Sequence, residues 1–105
     1  MQFPPRSPLR LVVLISGGGT TLRNLIEKIA ARQIDARIEM VISSNANARG
    51  LQFAGEAKIP AQTIERAGFE SIEAFSLAIF AACRSVSPDL IVMGGFLKLI
   101  MIPLD

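Results

Sequence analysis

The stretch LVVLISGGGTTLRNL, residues 11–25, constrains the fold more than any other part of the chain. Its five leading apolar residues, rich in valine and isoleucine, read as a strand covered on both faces, the pattern of a parallel sheet. A serine, three glycines and two threonines follow. Leu22, Leu25, Ile26 and Ile29 then recur at i, i+3, i+4 and i+7, while Arg23, Asn24, Glu27 and Lys28 face away, which predicts an amphipathic helix. Thr20 or Thr21 is the expected cap of that helix. A buried strand that passes through a bare turn into a helix is the opening of a β-α unit, and it commits the chain to a layered architecture.

The rest of the sequence repeats the unit. RIEMVIS at residues 37–43 predicts a second strand, followed by the polar loop SSNAN and a short alanine-rich helix over residues 48–58 that Pro60 closes. Residues 61–64 predict a brief third strand, and ERAGFE a loop. Ser71 starts a third helix, on which Ile72, Phe75, Ile79, Ala82, Cys83 and Val86 share a face until Pro88 stops it. Residues 89–93 predict a fourth strand, ended by Gly94 and Gly95. The order implies an α/β fold, an open parallel sheet of about four strands with helices on both faces and right-handed crossovers. Ligands of such sheets bind beyond the carboxyl ends of the strands, which selects residues 16–21, 43–47 and 94–98.

Glycine leaves no Cβ in the way of an approaching anion and permits positive φ. The free amides at a helix start and the positive end of its dipole then favour phosphate. A tight turn that binds nothing remains the plain alternative. Two familiar phosphate loops fit poorly. A dinucleotide fingerprint beginning at Gly17 and Gly19 meets Leu22 at its last glycine position, and the second strand ends in Ser43, Ser44 and Asn45 rather than an acidic residue. A nucleoside-triphosphate loop needs a lysine after its glycines, and none occurs before Lys28. The turn therefore suits one phosphate on a small metabolite.

Composition narrows the chemistry. A chain of 105 residues makes one domain. Eleven basic and nine acidic residues are scattered without a stripe, which disfavours nucleic acid, and no apolar run is long enough to span a bilayer, so no membrane partner is expected. Residues 1–8 read as a loose proline-rich leader without a secretory signal, and the lone Cys83 suits a reducing compartment, so a cytoplasmic location is expected. There is no histidine, which removes a histidine general base, a Ser-His pair and a His metal site from this chain; no metal is expected.

Three segments carry a family resemblance: SGGGTTL after VVLI, SSNANARGL after the second strand, and PDLIVMGGFLKLI at the fourth. In this order and spacing they resemble the phosphoribosylglycinamide formyltransferases, folate-dependent enzymes of purine synthesis with a Rossmann-like fold. The likeness covers residues 9–105 and only the amino-terminal half of that family. It implies a nucleotide-phosphate-binding part of an incomplete formyltransferase domain. It further implies that Gly19, Thr20 and Thr21 hold the phosphate of glycinamide ribonucleotide through backbone amides, with Gly17 and Gly18 shaping the approach. Gly95, Phe96, Leu97, Lys98, Leu99 and Ile100 match the family's cleft between nucleotide and folate, where 10-formyltetrahydrofolate is the co-substrate. A buried apolar segment is the plain alternative for that stretch. Arginine is frequent in the family where Lys98 stands, and asparagine where Gly18 or Thr21 stands; main-chain contacts survive both changes.

The family's catalytic asparagine, histidine and aspartate match nothing here. Formyl transfer needs an oxyanion stabiliser and a proton carrier, so the chain alone is expected to be inactive, with a missing carboxy-terminal half as a partner. Asp89 begins the fourth strand at the end away from the site, Asp105 is terminal, and Glu65, Glu70 and Glu73 occupy a loop and a helix start where acidic groups favour the dipole. Cys83 is expected in the core. A truncated, non-catalytic phosphate-binding module stays open as an alternative; a nicotinamide oxidoreductase and a formyltetrahydrofolate hydrolase fit the turn less well. The fourth strand is expected to present an open hydrophobic edge.

Overall fold

The computed structural model describes residues 8–94. Four parallel strands lie in the order β3-β2-β1-β4, where β1 is Leu9–Ile15, β2 Ala36–Ser43, β3 Ala61–Thr63 and β4 Leu90–Met93. The helices between them are α1, Thr20–Ala30; α2, Gly50–Glu56; and α3, Ile72–Arg84, which a 3-10 turn at Arg66–Gly68 precedes. The expected α/β architecture with helices on both faces is the one observed.

The continuous apolar character of β1 has the anticipated cause. Leu11, Val13 and Ile15 enter a core shared with α1 and α2, while Val12 and Leu14 enter a second core under α3 with Phe75, Ile79, Phe80 and Cys83. Alternate side chains leave a strand on opposite faces, so a strand between two helical layers has no face to give to water. α1 and α2 cover one side through Leu22 and Ala54 and α3 the other, which leaves the strand ends as the open surface of the described sheet.

β2 departs from a regular strand. Leu11 pairs with Ile38 and Val12 with Met40, so Glu39 is an extra residue in the ladder. The bulge keeps Ile38 in the first core and turns Met40 into the second. Glu39 meets Arg10 at 3.4 Å and Arg37 at 3.5 Å. At the same end of the sheet, the Asp89 carboxylate accepts from the Arg10 amide at 2.8 Å, and the Asp89 amide returns a bond to the Arg10 carbonyl. Asp89 is thus a structural clasp between β1 and β4 at the end opposite the glycine turn.

Some boundaries differ from expectation. β1 starts at Leu9, β2 at Ala36 and β4 at Leu90, and β3 stops at Thr63. α2 is shorter than predicted, because Ala48 donates back to the Asn45 carbonyl in a turn and Lys58 takes a left-handed φ of 61° that closes the helix end. β4 is an edge strand of the described sheet, as β3 is, and Leu90 and Met93 on it are exposed.

Candidate phosphate-binding site

The strand order fixes where a ligand fits. Successive strands step one way from β1 to β2 to β3, and β4 returns to the other side of β1, so the topology switches between β1 and β4. Open α/β sheets bind ligands at the carboxyl ends of strands at such a switch. The glycine turn leaves β1 at that point, and Gly94 follows β4 beside it, its amide donating to the Leu14 carbonyl at 2.8 Å.

Within the turn the three glycines have different roles. Gly19 is buried and takes φ 74°, ψ 26° as the residue that caps α1. A Cβ there would sit 2.5 Å from the Gly50 Cα, so both the backbone conformation and the packing require glycine. Gly17 and Gly18 lie outside the left-handed region, and a Cβ on either would meet no heavy atom of the described residues within 4 Å. Among the described residues, nothing therefore fills the space beside either glycine.

The cap itself corrects an expectation. Neither Thr20 nor Thr21 caps α1: both lie in its first turn, and Gly19 at the cap position offers no side-chain acceptor. The left-handed backbone that brings the turn against α2 excludes threonine from that position. The first amides of a helix have no partner within it. Those of Thr20, Thr21 and Leu22 thus meet neither a capping side chain nor an acidic residue of the first turn. Thr20 and Thr21 are exposed, and Thr21 packs over Gly94, where a Cβ would sit 3.2 Å from its Cγ2.

The second selected loop meets the first. The buried hydroxyls of Ser16 and Ser44 lie 2.7 Å apart, and the Ser44 amide donates to the Ile15 carbonyl at 3.0 Å. Ser43 folds the next residues into a tight turn, its Oγ accepting from the Asn45 amide and donating to the Asn45 carbonyl. The Glu65 carboxylate accepts from the Ala46 amide at 3.3 Å, so this acidic residue braces the loop after β2 rather than serving a helix dipole; Glu73 does lie in the first turn of α3. Gly17, Gly18, Gly19, Thr20 and Thr21 thus come together with Ser44 and Gly94. The cleft residues expected from the resemblance, Gly95, Phe96, Leu97, Lys98, Leu99 and Ile100, lie outside the described residues.

Gly50 escaped the sequence reading. It opens α2, where glycine lowers helix propensity, and a glycine in that place signals a close backbone approach. Acid-base equipment is sparse by contrast. Cys83, buried under α3, has its thiol pKa pushed up chiefly by desolvation, with Arg84 opposing. No cluster of three or more potential metal ligands occurs among the described residues, and no helix there is long and apolar enough to cross a membrane. A cleft of about 430 Å³ lies away from the turn, where Ile29, Ala36, Ile38 and Ile59 form its apolar floor and Arg37, Glu39 and Lys58 its charged rim.

Comparison with known proteins bears on this arrangement. The formyl transferase family matches residues 9–104. The phosphoribosylglycinamide formyltransferase of Mycobacterium tuberculosis strain H37Rv is 36% identical over 100 residues, covering 95% of this chain and 46% of that protein. The human trifunctional purine biosynthetic protein adenosine-3 is 33% identical over 94 residues, covering 90% of this chain and 9% of its own length. Among solved structures, the phosphoribosylglycinamide formyltransferase from Coxiella burnetii superimposes with a TM-score of 0.86 at 37% identity, over 90% of this chain and 44% of that one. The chain spans less than half the length of the bacterial relatives it matches.

Proposed function

The chain belongs to the formyl transferase family, and from that premise we propose that it forms the nucleotide-phosphate-binding part of a phosphoribosylglycinamide formyltransferase of purine biosynthesis. The reaction moves a formyl group from 10-formyltetrahydrofolate to the amine of glycinamide ribonucleotide. The observation that carries the reading is the start of α1. There a left-handed Gly19 leaves the helix's first amides without a side-chain acceptor among the described residues, at the switch point of the sheet.

In this reading Gly17, Gly18, Gly19, Thr20 and Thr21 hold the phosphate through main-chain donors and the helix dipole. Such a site fixes one end of the nucleotide, and the amine then reacts in a defined place rather than at random. Gly95, Phe96, Leu97, Lys98, Leu99 and Ile100, which follow β4 in sequence, line the cleft between nucleotide and folate. The chain's own residues bind and orient. It has no histidine, and its one thiol is buried under α3, so neither of these groups carries the proton here. The setting is the cytoplasm, and the partners are the nucleotide, the folate and a carboxy-terminal half.

Calorimetric titration of the 105-residue chain with glycinamide ribonucleotide tests the reading, beside the same compound without its phosphate. Saturable binding that disappears with the phosphate is expected, with no formyl transfer by this chain alone. Equal binding of the two compounds, or none to the folded chain, would overturn the assignment.

A further inference from the structure

Gly50 is where the start of α2 touches the glycine turn, and its contacts are directional. Its amide donates to the Gly17 carbonyl at 3.1 Å. In a planar trans peptide the carbonyl of one residue and the amide of the next point opposite ways. With the Gly17 carbonyl held toward α2, the Gly18 amide is aimed away from it, and among the described residues that amide has no acceptor. Close packing enforces the arrangement from the other side: a Cβ on Gly50 would lie 3.1 Å from the Gly19 Cα and 2.5 Å from the Ile15 Cδ1.

Resting on the assignment of the turn to a nucleotide phosphate, we propose that Gly50 is a positioning residue for that phosphate: it anchors the Gly17 carbonyl and thereby presents the Gly18 amide as a donor to the anion. Gly50 touches no ligand itself. It acts through one peptide plane, which the helix start of α1 does not control, because Gly18 precedes the cap at Gly19. The anion site thus combines the amides fixed by α1 with one fixed by α2. An added methyl on Gly50 turns the Ile15 side chain aside, presses the two backbones apart by a few tenths of an ångström and releases the Gly17 carbonyl.

The test compares Gly50→Ala with Gly55→Ala, a control in the same helix whose added Cβ meets no atom of the described residues within 4 Å. For glycinamide ribonucleotide, Gly50→Ala is expected to bind about tenfold more weakly, the worth of one charge-assisted hydrogen bond. Gly55→Ala is expected to bind as the unaltered chain does. Equal affinity for the two folded variants would overturn the role of Gly50 while leaving the phosphate assignment standing. No binding by the unaltered chain would overturn both. Because Gly50→Ala is a packing change, a second measurement uses the unaltered chain. On addition of the nucleotide, the Gly18 amide proton should move downfield together with those of Thr20 and Thr21, while the Gly50 amide stays protected from exchange. Movement of Thr20 and Thr21 without Gly18 would contradict the proposal.

Discussion

α1 and α3 start in contrasting ways. α3 is closed by its own residues: the Ser71 side chain accepts from the Ala74 amide at 3.1 Å, and Glu73 supplies an acidic group in the first turn. α1 begins at a left-handed glycine, without a side-chain acceptor and without an acidic residue in its first turn. A helix whose donors are satisfied internally gains stability, whereas one whose donors stay open holds a place for an external anion. The difference follows position in the sheet. α3 follows β3, an edge strand of the described sheet, whereas α1 leaves the inner strand β1 at the switch point.

The largest way to break this contrast is Gly19→Val. A branched side chain at φ 74°, aimed at the Gly50 backbone, is expected to lower unfolding free energy by roughly 3 kcal/mol and to abolish nucleotide binding, as denaturant unfolding and calorimetry would show. Ser71→Ala should act on the other helix alone, costing about 1 kcal/mol with nucleotide affinity unchanged. A loss of affinity in that variant would tie the two starts together, contrary to their separation here.

Gly18→Ala sharpens the comparison further. Its added Cβ meets no atom of the described residues within 4 Å, so stability should rise by roughly 0.5 kcal/mol while nucleotide affinity is kept, because the main-chain donors survive the change. A large loss of affinity would mean that the phosphate needs the bare Cα of Gly18 as well as the main-chain donors. The smallest effect concerns the body of α3. The raised Cys83 pKa means that the unfolded chain loses its thiol proton first. Stability is therefore full below the ordinary thiol range and declines as pH rises through it toward the folded value. A pH series of unfolding midpoints compared with Cys83→Ser, in which that decline should vanish, checks the sign.

Much of this was legible in the residues. The VVLI run, the apolar faces of α1 and α3 and the polar loops after β1 and β2 each carry a period or composition with one physical reading, and the four-strand α/β sheet follows from their order. The capping of α1 was not legible, because threonine is the better cap by local rules and only contact with α2 makes the left-handed Gly19 necessary. The bulge at Glu39 hid inside a strand-like run for the same kind of reason: it reconciles two cores on opposite faces, which is a property of the packed sheet. Gly50 and the Ser16-Ser44 contact join loops 28 residues apart or more, and no spacing rule in one sequence pairs them.

The most direct test maps backbone amide shifts at both helix starts while glycinamide ribonucleotide is titrated into the chain. Downfield movement of the Gly18, Gly19, Thr20 and Thr21 amides is predicted, with those of Ile72, Glu73 and Ala74 unmoved. Shifts at α3 equal to those at α1, or none at α1 in a saturated complex, would contradict the claim that the open helix start is the one that holds the phosphate.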